Sequence, residues 1–200
     1  MVNYLAIIGA YLLGSLSFAV IVSRCMGMPD PHSYGSGNPG ATNVLRTGKK
    51  SAAALTLLGD ALKGWLAVWL AKHYQTVWQL DSNTIAIIAV VVLIGHMWPV
   101  FFKFKGGKGV ATALGVLLAL SWPTALICAA VWLIMAFGFK VSSLAALIAT
   151  LISPFAAWWL MPQLSWVIAV IVIDILVLYQ HKSNIKNLFS GREGKIGETK

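Results

Sequence analysis

The stretch VATALGVLLALSWPTALICAAVWLIMAFGF, residues 110–139, carries no charged side chain over its whole length. A membrane-spanning helix needs about 20 apolar residues, so this run is too long for one crossing and short for two. It is interrupted by Ser121-Trp122-Pro123, and proline both breaks a helix and disfavours helical geometry in the residue before it. We therefore divide the run into two spans, Val110–Trp122 and Pro123–Phe139, the first of which is short enough to be tilted or partly re-entrant.

Five further apolar stretches surround this run, at Asn3–Ser23, Ala52–Ala71, Thr84–Phe102, Val141–Met161 and Leu164–Gln180. Only 10% of the 200 residues are charged and 58% are hydrophobic, whereas soluble domains carry about 25% charged residues. The first stretch has no basic segment before it, so we interpret it as a retained span and not as a cleaved signal peptide. We predict an all-α, polytopic integral membrane bundle of seven transmembrane helices, with residues 1–200 forming a single domain.

The basic residues orient these spans. With the N-terminus outside, 13 of the 15 lysines and arginines fall in cytoplasmic loops or in the tail, the other two being Lys63 and Lys72. Basic residues concentrate on the cytoplasmic side of membrane proteins, so we predict a cytoplasmic C-terminus. Six spans would put the basic clusters at 103–108 and 182–200 on opposite faces. The net charge of +9 also suits anionic lipids or an anionic substrate, and no soluble basic domain is available for nucleic acid.

Three polar islands remain between the spans, at residues 32–46, 102–112 and 181–193, all on the predicted cytoplasmic face. In the second island, two glycines and several lysines directly precede a helix. Glycine lets backbone N–H groups turn toward an anion, and the N-terminus of a helix favours negative charge. This pattern indicates a phosphate site, although its spacing is not that of a Walker A loop. A plain basic turn is the alternative.

The first island contains Gly35-Ser36-Gly37-Asn38-Pro39-Gly40, which formally fits a dinucleotide-binding fingerprint. That fingerprint requires a preceding strand, and a membrane helix precedes it here, so we reject the match. Hydroxyl and amide donors nevertheless interleave with glycines and end at Arg46, whose guanidinium suits phosphate. A flexible linker is the alternative. In the third island His181 and Asn184 would share one helix face, and an interfacial basic tail is equally compatible with the sequence.

Charged residues inside spans are costly and are hypotheses of function by default. Asp60 and Lys63 are one helical turn apart, so they can form an internal ion pair with a structural role or contact a substrate. Asp174 has no obvious partner in the sequence and is either protonated or bound to a neighbouring helix. We interpret His96, next to Trp98 and Pro99, as an interfacial histidine and not as a catalytic residue.

Together, the three islands resemble the motifs of the bacterial inner-membrane glycerol-3-phosphate acyltransferases that use acyl-phosphate, the PlsY-type family. The family patterns G-S-G-N-x-G-A-T-N-x-x-R and K-G-G-K-G-V-A-T fit Gly35–Arg46 and Lys105–Thr112. The third motif fits His181–Ile185 and Gly191–Glu193, but Lys186-Asn187 stands where arginine is frequent. Ser143 matches a smaller motif that usually opens with arginine. The resemblance covers nearly the whole chain.

The resemblance implies transfer of a fatty acyl group from acyl-phosphate to the 1-hydroxyl of glycerol 3-phosphate, giving lysophosphatidate and inorganic phosphate, without a cofactor or metal. It also implies an inner-membrane location, a cytoplasmic active site, contact with membrane lipids and a soluble enzyme that supplies the acyl-phosphate. His181 has a suitable unperturbed pKa for a general base, while the donor's own phosphate is the alternative acceptor. The candidate catalytic residues are His181, Ser36 and Asn184. The candidate substrate-binding residues are these three with Asn38, Thr42, Asn43, Arg46, Lys63, Lys105, Gly106, Gly107, Lys108, Gly109, Thr112, Ser143 and Glu193.

Two other classes of protein fit the composition. A transporter of organic phosphates would predict internal repeats and helices broken at mid-membrane, whereas the polar motifs of this chain cluster on one predicted face. A structural membrane subunit would not need three islands rich in hydrogen-bond donors. No histidine is followed by aspartate at the H-x-x-x-x-D spacing of the more familiar glycerolipid acyltransferases, so that mechanism is excluded.

Overall fold

The computed structural model describes residues 2–196, which form helices and loops without a strand. Ten α-helices follow one another in this part of the chain, with a short 3-10 helix at Val100–Phe102. The α-helices are α1 (Val2–Gly14), α2 (Phe18–Cys25), α3 (Ala41–Leu45), α4 (Lys50–His73), α5 (Ser82–Met97), α6 (Val110–Leu120), α7 (Trp122–Phe139), α8 (Ser142–Leu160), α9 (Leu164–Gln180) and α10 (Lys182–Phe189).

Four helical segments are long and apolar enough to cross a membrane, namely α4, α5 extended by the 3-10 helix to Phe102, α7 and α8. The number rises to six within residues 2–196 if each bent pair counts as one span. The bent pairs are α1 with α2, at 47°, and α9 with α10, at 59°. The described chain is therefore a multi-pass helical membrane bundle. Seven spans remain a prediction, because α6 has only 11 residues and at about 1.5 Å per residue is too short for a full crossing.

The break at Ser121 is where the sequence predicts it. The Ser121 side chain accepts a hydrogen bond from the backbone N–H of Thr124, and Pro123 lies in the first turn of α7, where a missing N–H costs nothing. A cation secures the other side of the break, since the Lys72 ammonium donates to the carbonyl oxygens of Ala119 and Leu120 at 2.7 and 3.2 Å. These are the carbonyls that the end of α6 leaves without helical partners.

Small residues let the helices of the core approach closely. A Cβ on Gly14 would lie 2.9 Å from the Val92 carbonyl carbon, and one on Gly95 would lie 3.0 Å from the backbone nitrogen of Ser15. The contact between α4 and α6 is built in the same way around Gly64 and Gly115. Such contacts are typical of membrane helices, whose association depends on packing at short range. They hold α1 against α5 and α4 against α6.

Candidate active site

A cavity of about 370 Å³ opens where the three polar islands meet. Its wall combines donor-rich loops on one side with the apolar helices α6, α7 and α8 on the other. It therefore suits a ligand with an anionic head and an apolar chain. Eleven of the sequence-predicted site residues line it, namely Ser36, Asn38, Thr42, Asn43, Arg46, Lys108, Gly109, Ser143, His181, Asn184 and Glu193.

The C-terminal segment 190–196 joins the third island to α8. Glu193 accepts a hydrogen bond from the Ser143 hydroxyl at 2.7 Å and another from the Asn184 amide at 2.6 Å. The Lys108 ammonium donates to the side-chain oxygen of Asn184. Further along the segment, the Ile196 N–H donates to the Lys140 carbonyl at 2.6 Å. These contacts bring the α5–α6 loop, the start of α8 and the C-terminal segment together at one end of the cavity.

Lys108 is the cation at this end of the cavity, and it lies outside the spanning helices. Burial lowers the pKa of its ammonium below the usual range, the nearby Glu193 carboxylate partly opposes this, and the Arg46 guanidinium adds to it. Two cations that face one cavity repel each other, and a bound dianion relieves this repulsion. The pair Lys108 and Arg46 is thus suited to a phosphate.

His181 is only 2% exposed and lies where α9 ends and α10 begins. Its Nδ1 is 2.8 Å from the Val177 carbonyl oxygen. A carbonyl can only accept, so Nδ1 carries the proton and the neutral ring keeps its lone pair on Nε2. The ring lines the cavity and can therefore accept a proton there. The sequence predicts a continuous helix through His181 and Asn184; the chain instead bends by 59° between α9 and α10.

The loop at residues 105–109, called the glycine loop below, ends at the N-terminus of α6. Gly109 has a φ of +89°, which glycine adopts without strain, and the turn it makes directs the first residues of α6 to the cavity. Val110 and Ala111 line the cavity beside Gly109. The first N–H groups of a helix have no internal partners, so they are available to an anion at this position.

The comparisons with known proteins agree with this geometry. The sequence model of the glycerol-3-phosphate acyltransferase family matches residues 4–191. The chain therefore belongs to the glycerol-3-phosphate acyltransferase family. The resemblance drawn from the three motifs is confirmed.

Relatives and solved structures of this family match almost the full chain. A glycerol-3-phosphate acyltransferase of Neisseria meningitidis serogroup C / serotype 2a is 66% identical over 198 residues, with 99% of each chain covered. One of Cupriavidus pinatubonensis is 54% identical over 201 residues, covering 100% of this chain and 99% of the relative. The crystal structure of PlsY (YgiH), an integral membrane glycerol 3-phosphate acyltransferase, in its glycerol 3-phosphate form is 38% identical with a TM-score of 0.90, covering 98% of this chain and 96% of that one. The structure of its lysophosphatidic acid form is 37% identical with a TM-score of 0.88, covering 96% of this chain and 94% of that one.

Five of the predicted site residues, all within the described part of the chain, do not line the cavity. They are Lys63, Lys105, Gly106, Gly107 and Thr112. Lys63 is 2.9 Å from the Asp60 carboxylate and donates to the Leu16 carbonyl at 2.6 Å, so the structure favours the internal ion pair over a substrate contact. Thr112 is fully buried and packs against Gly64. Lys105 is exposed, and its carbonyl oxygen lies 3.1 Å from Nε2 of His32.

Asn43 holds the first island in shape. Its side-chain oxygen accepts from the Ser36 N–H at 2.9 Å, and its amide donates to the carbonyls of Pro31 and Tyr34 at 2.9 and 3.2 Å. Gly35, at a φ of +58°, leaves no room for a Cβ beside this amide. The side chain of Asn43 is thus engaged with the loop that presents Ser36, and direct contact with a substrate stays a prediction.

Two titratable residues of the cavity wall, Asp60 and His96, were not among the predicted site residues, although the sequence left a substrate contact of the Asp60–Lys63 pair open. His96 is 7% exposed, so its side chain is buried within the protein, while its interfacial position stays a prediction. A titratable side chain on each of two spans is a signal for such a pair, but the rotation of each helix decides whether the two face one another. Within residues 2–196, no group of three metal-ligating side chains could hold a metal ion.

A smaller apolar cavity of about 60 Å³ continues from the main one between α6, α7, α8 and α9. The two cavities share part of their walls, formed by Val110, Leu114, Ala129, Trp132 and Ala146. At its inner end the Ser153 hydroxyl donates to the Asp174 carboxyl at 2.7 Å, so Asp174 is bound to a neighbouring helix, one of the two alternatives that the sequence left open. The apolar space therefore has a polar end.

Proposed function

We propose that this chain transfers a fatty acyl group from acyl-phosphate to the 1-hydroxyl of glycerol 3-phosphate, giving lysophosphatidate and inorganic phosphate. The observation that carries the proposal is the two-sided cavity, with Lys108, Arg46 and the start of α6 on one wall and apolar helices on the other. Both substrates in this reaction carry phosphate, and one also carries an acyl chain. The family of the chain and the solved relatives in glycerol 3-phosphate and lysophosphatidic acid forms support the same assignment.

The reaction needs little from the protein beyond positioning and charge stabilisation. The 1-hydroxyl oxygen attacks the acyl carbonyl carbon, the bond from that carbon to the phosphate oxygen breaks, and phosphate leaves with the electron pair. Because phosphate is a good leaving group, orientation of the two substrates and stabilisation of the developing oxyanion supply most of the barrier reduction. In this proposal Ser36, Asn38, Thr42 and the N–H groups at Gly109–Ala111 stabilise the acyl-phosphate and its oxyanion.

Glycerol 3-phosphate occupies the end of the cavity where the three islands are tied together. Lys108 and Arg46 neutralise its phosphate, and the Ser143 and Asn184 side chains orient it. Glu193, which accepts from both of these side chains, keeps them in position and can accept a hydrogen bond from a substrate hydroxyl. His181 then accepts the proton of the 1-hydroxyl on Nε2, the nitrogen that the Val177 contact leaves with a lone pair.

The acyl chain of the donor lies against the apolar wall and extends into the smaller cavity past Trp132. We place the active site on the cytoplasmic face of the bacterial inner membrane, with the N-terminus outside, because 13 of the 15 basic residues fall on that side of a seven-span arrangement. A soluble enzyme would then supply acyl-phosphate from the cytoplasm. Membrane lipids surround the bundle.

One assay tests the donor and the acceptor together. Purified protein receives synthetic palmitoyl-phosphate and glycerol 3-phosphate, and phosphate release and lysophosphatidate are measured. We expect release of one phosphate per lysophosphatidate, dependent on glycerol 3-phosphate. If only a palmitoyl thioester supports lysophosphatidate formation, the proposed donor is wrong. If neither donor does and proteoliposomes accumulate glycerol 3-phosphate instead, the chain is a transporter.

A further inference from the structure

Three charged or titratable side chains lie buried together beneath the glycine loop. Asp60, Lys63 and His96 are 3%, 2% and 7% exposed. The Asp60 carboxylate is 2.9 Å from the Lys63 ammonium and 3.5 Å from Nδ1 of His96. Removing such groups from water costs several kcal/mol per ion, and hydrophobic residues of similar size would serve packing alone at least as well. The cluster therefore calls for a role beyond packing.

One end of this cluster supports the glycine loop. A Cβ on Gly107 would lie 2.7 Å from Cε1 of His96 and closer still to Nε2, so the imidazole fills the space directly behind Gly107. The Gly107 N–H donates to the backbone carbonyl of His96 at 3.2 Å. A Cβ on Gly106 would lie 2.6 Å from the Met97 carbonyl oxygen. The glycines are thus required for close approach to the end of α5, and His96 is the surface on which the loop lies.

The other end of the cluster reaches the first span. The Lys63 ammonium donates to the carbonyl of Leu16 at 2.6 Å, in the break between α1 and α2. A break in a helix leaves carbonyls without partners, and the ammonium satisfies one of them. The contacts therefore run from the first span through Lys63 and Asp60 to His96 and the loop. Asp60 and His96 also line the cavity.

We propose that Asp60 and His96 are positioning residues for the phosphate-binding turn. Asp60, held by Lys63, fixes the His96 imidazole, and the imidazole fixes Gly107 and hence the N–H groups at Gly109–Ala111, residues that line the cavity. Neither residue touches the reacting atoms in this proposal. It rests on the proposed function only in that the turn binds a substrate phosphate.

A double-mutant cycle between His96 and Gly107 tests the contact. Gly107→Ala drives a Cβ into the imidazole, so we expect the KM of acyl-phosphate, the substrate assigned to this turn, to rise about tenfold or more with a smaller change in kcat. His96→Ala removes the support and should raise the same KM several-fold. In the double variant the Cβ has space, apart from a 3.1 Å approach to the Pro39 carbonyl. The loss of kcat/KM in the double variant should therefore be about fivefold smaller than the product of the two single losses.

A loss of kcat/KM in the double variant that lies within about twofold of this product would overturn the proposal. Coupling that appears in the melting temperature but not in KM would overturn it as well. If His96→Ala does not fold, Asp60→Asn replaces it, since it keeps the shape and removes the charge that orients the ring; an unchanged KM in that variant also overturns the proposal. His73→Ala, an exposed histidine at the end of α4, is the matched control. A wild-type protein inactive with acyl-phosphate refutes the donor alone, because the cycle is then measured as affinity for inorganic phosphate, which carries the group that this turn binds in the proposal.

Discussion

The amide of Asn184 donates to the Glu193 carboxylate at 2.6 Å, while the side-chain oxygen of the same Asn184 accepts from the Lys108 ammonium. Asn184 thus lies between an anion and a cation and satisfies one with each end of its amide. This arrangement fixes the orientation of the amide, because reversal would place its N–H₂ group toward the ammonium. It also places Glu193 of the C-terminal segment in the cavity wall.

Glu193→Ala should weaken binding of glycerol 3-phosphate. The change leaves Ser143 and Asn184 without their shared acceptor, and hydrogen bonds to charged groups contribute about 1.5–3 kcal/mol each. We expect the KM of glycerol 3-phosphate to rise at least about tenfold. Glu193→Gln, which keeps one acceptor oxygen, should show a smaller rise. Arg192→Ala, at an exposed neighbour, is the control. An unchanged KM in Glu193→Ala would refute the role of this carboxylate.

Lys108 should give the binding of glycerol 3-phosphate an alkaline limit. Its pKa is lowered, chiefly by burial, so the cation is lost over an alkaline pH range that lies below the range in which an exposed lysine loses its charge. The KM of glycerol 3-phosphate should therefore increase over this range. In Lys108→Arg the guanidinium stays protonated, and the increase should move to higher pH. Lys103→Arg, at an exposed residue of the loop between α5 and α6, serves as control. Identical pH profiles of KM for the wild type and the two variants would contradict the assignment.

The sequence predicts the broad architecture well because apolar length and basic loops are properties of whole segments. The break at Ser121-Trp122-Pro123 and the meeting of the three islands both follow from such segment properties. The bend of 47° between α1 and α2 does not follow from them. The pairing of His96 with Asp60 was also missed, because it depends on how two distant helices are rotated. Motif spacing likewise cannot tell that Asn43 is engaged with its own loop.

Ala149→Phe should shift the preference for acyl chains toward shorter ones. Ala149 is buried in the wall of the smaller cavity, and a phenyl ring would fill the space that the chain end occupies in our proposal. Each methylene that loses its site costs about 0.8 kcal/mol, or about fourfold in kcat/KM. Acyl-phosphates of increasing length provide the measurement. Ile134→Phe, at a residue 70% exposed on α7, should leave the length profile unchanged. If Ala149→Phe lowers kcat/KM equally for acyl chains of all lengths, the acyl chain does not lie in the smaller cavity.

Lys72→Met should destabilise the bundle without changing the chemistry. The Lys72 ammonium secures the end of α6 and lies 4.8 Å from the ring centre of Trp166. Loss of hydrogen bonds from a charged donor should lower the melting temperature by on the order of 5 °C, with KM values unchanged at low temperature. Lys72→Arg retains a cationic donor and should lose less. A melting temperature equal to that of the wild type would show that the contact does not stabilise α6.

His181→Gln should separate the two candidate proton acceptors. If Nε2 of His181 accepts the proton from the 1-hydroxyl, kcat should fall about 10²–10⁴-fold, the range typical of general-base catalysis, while the KM of glycerol 3-phosphate changes little. The contact of Nδ1 with the Val177 carbonyl can be replaced by the glutamine amide, which limits structural damage, and the melting temperature checks this. His73→Ala controls for loss of a histidine. A rise in KM at unchanged kcat would instead assign proton acceptance to the phosphate of the donor, because the variant would then have lost binding and kept its base.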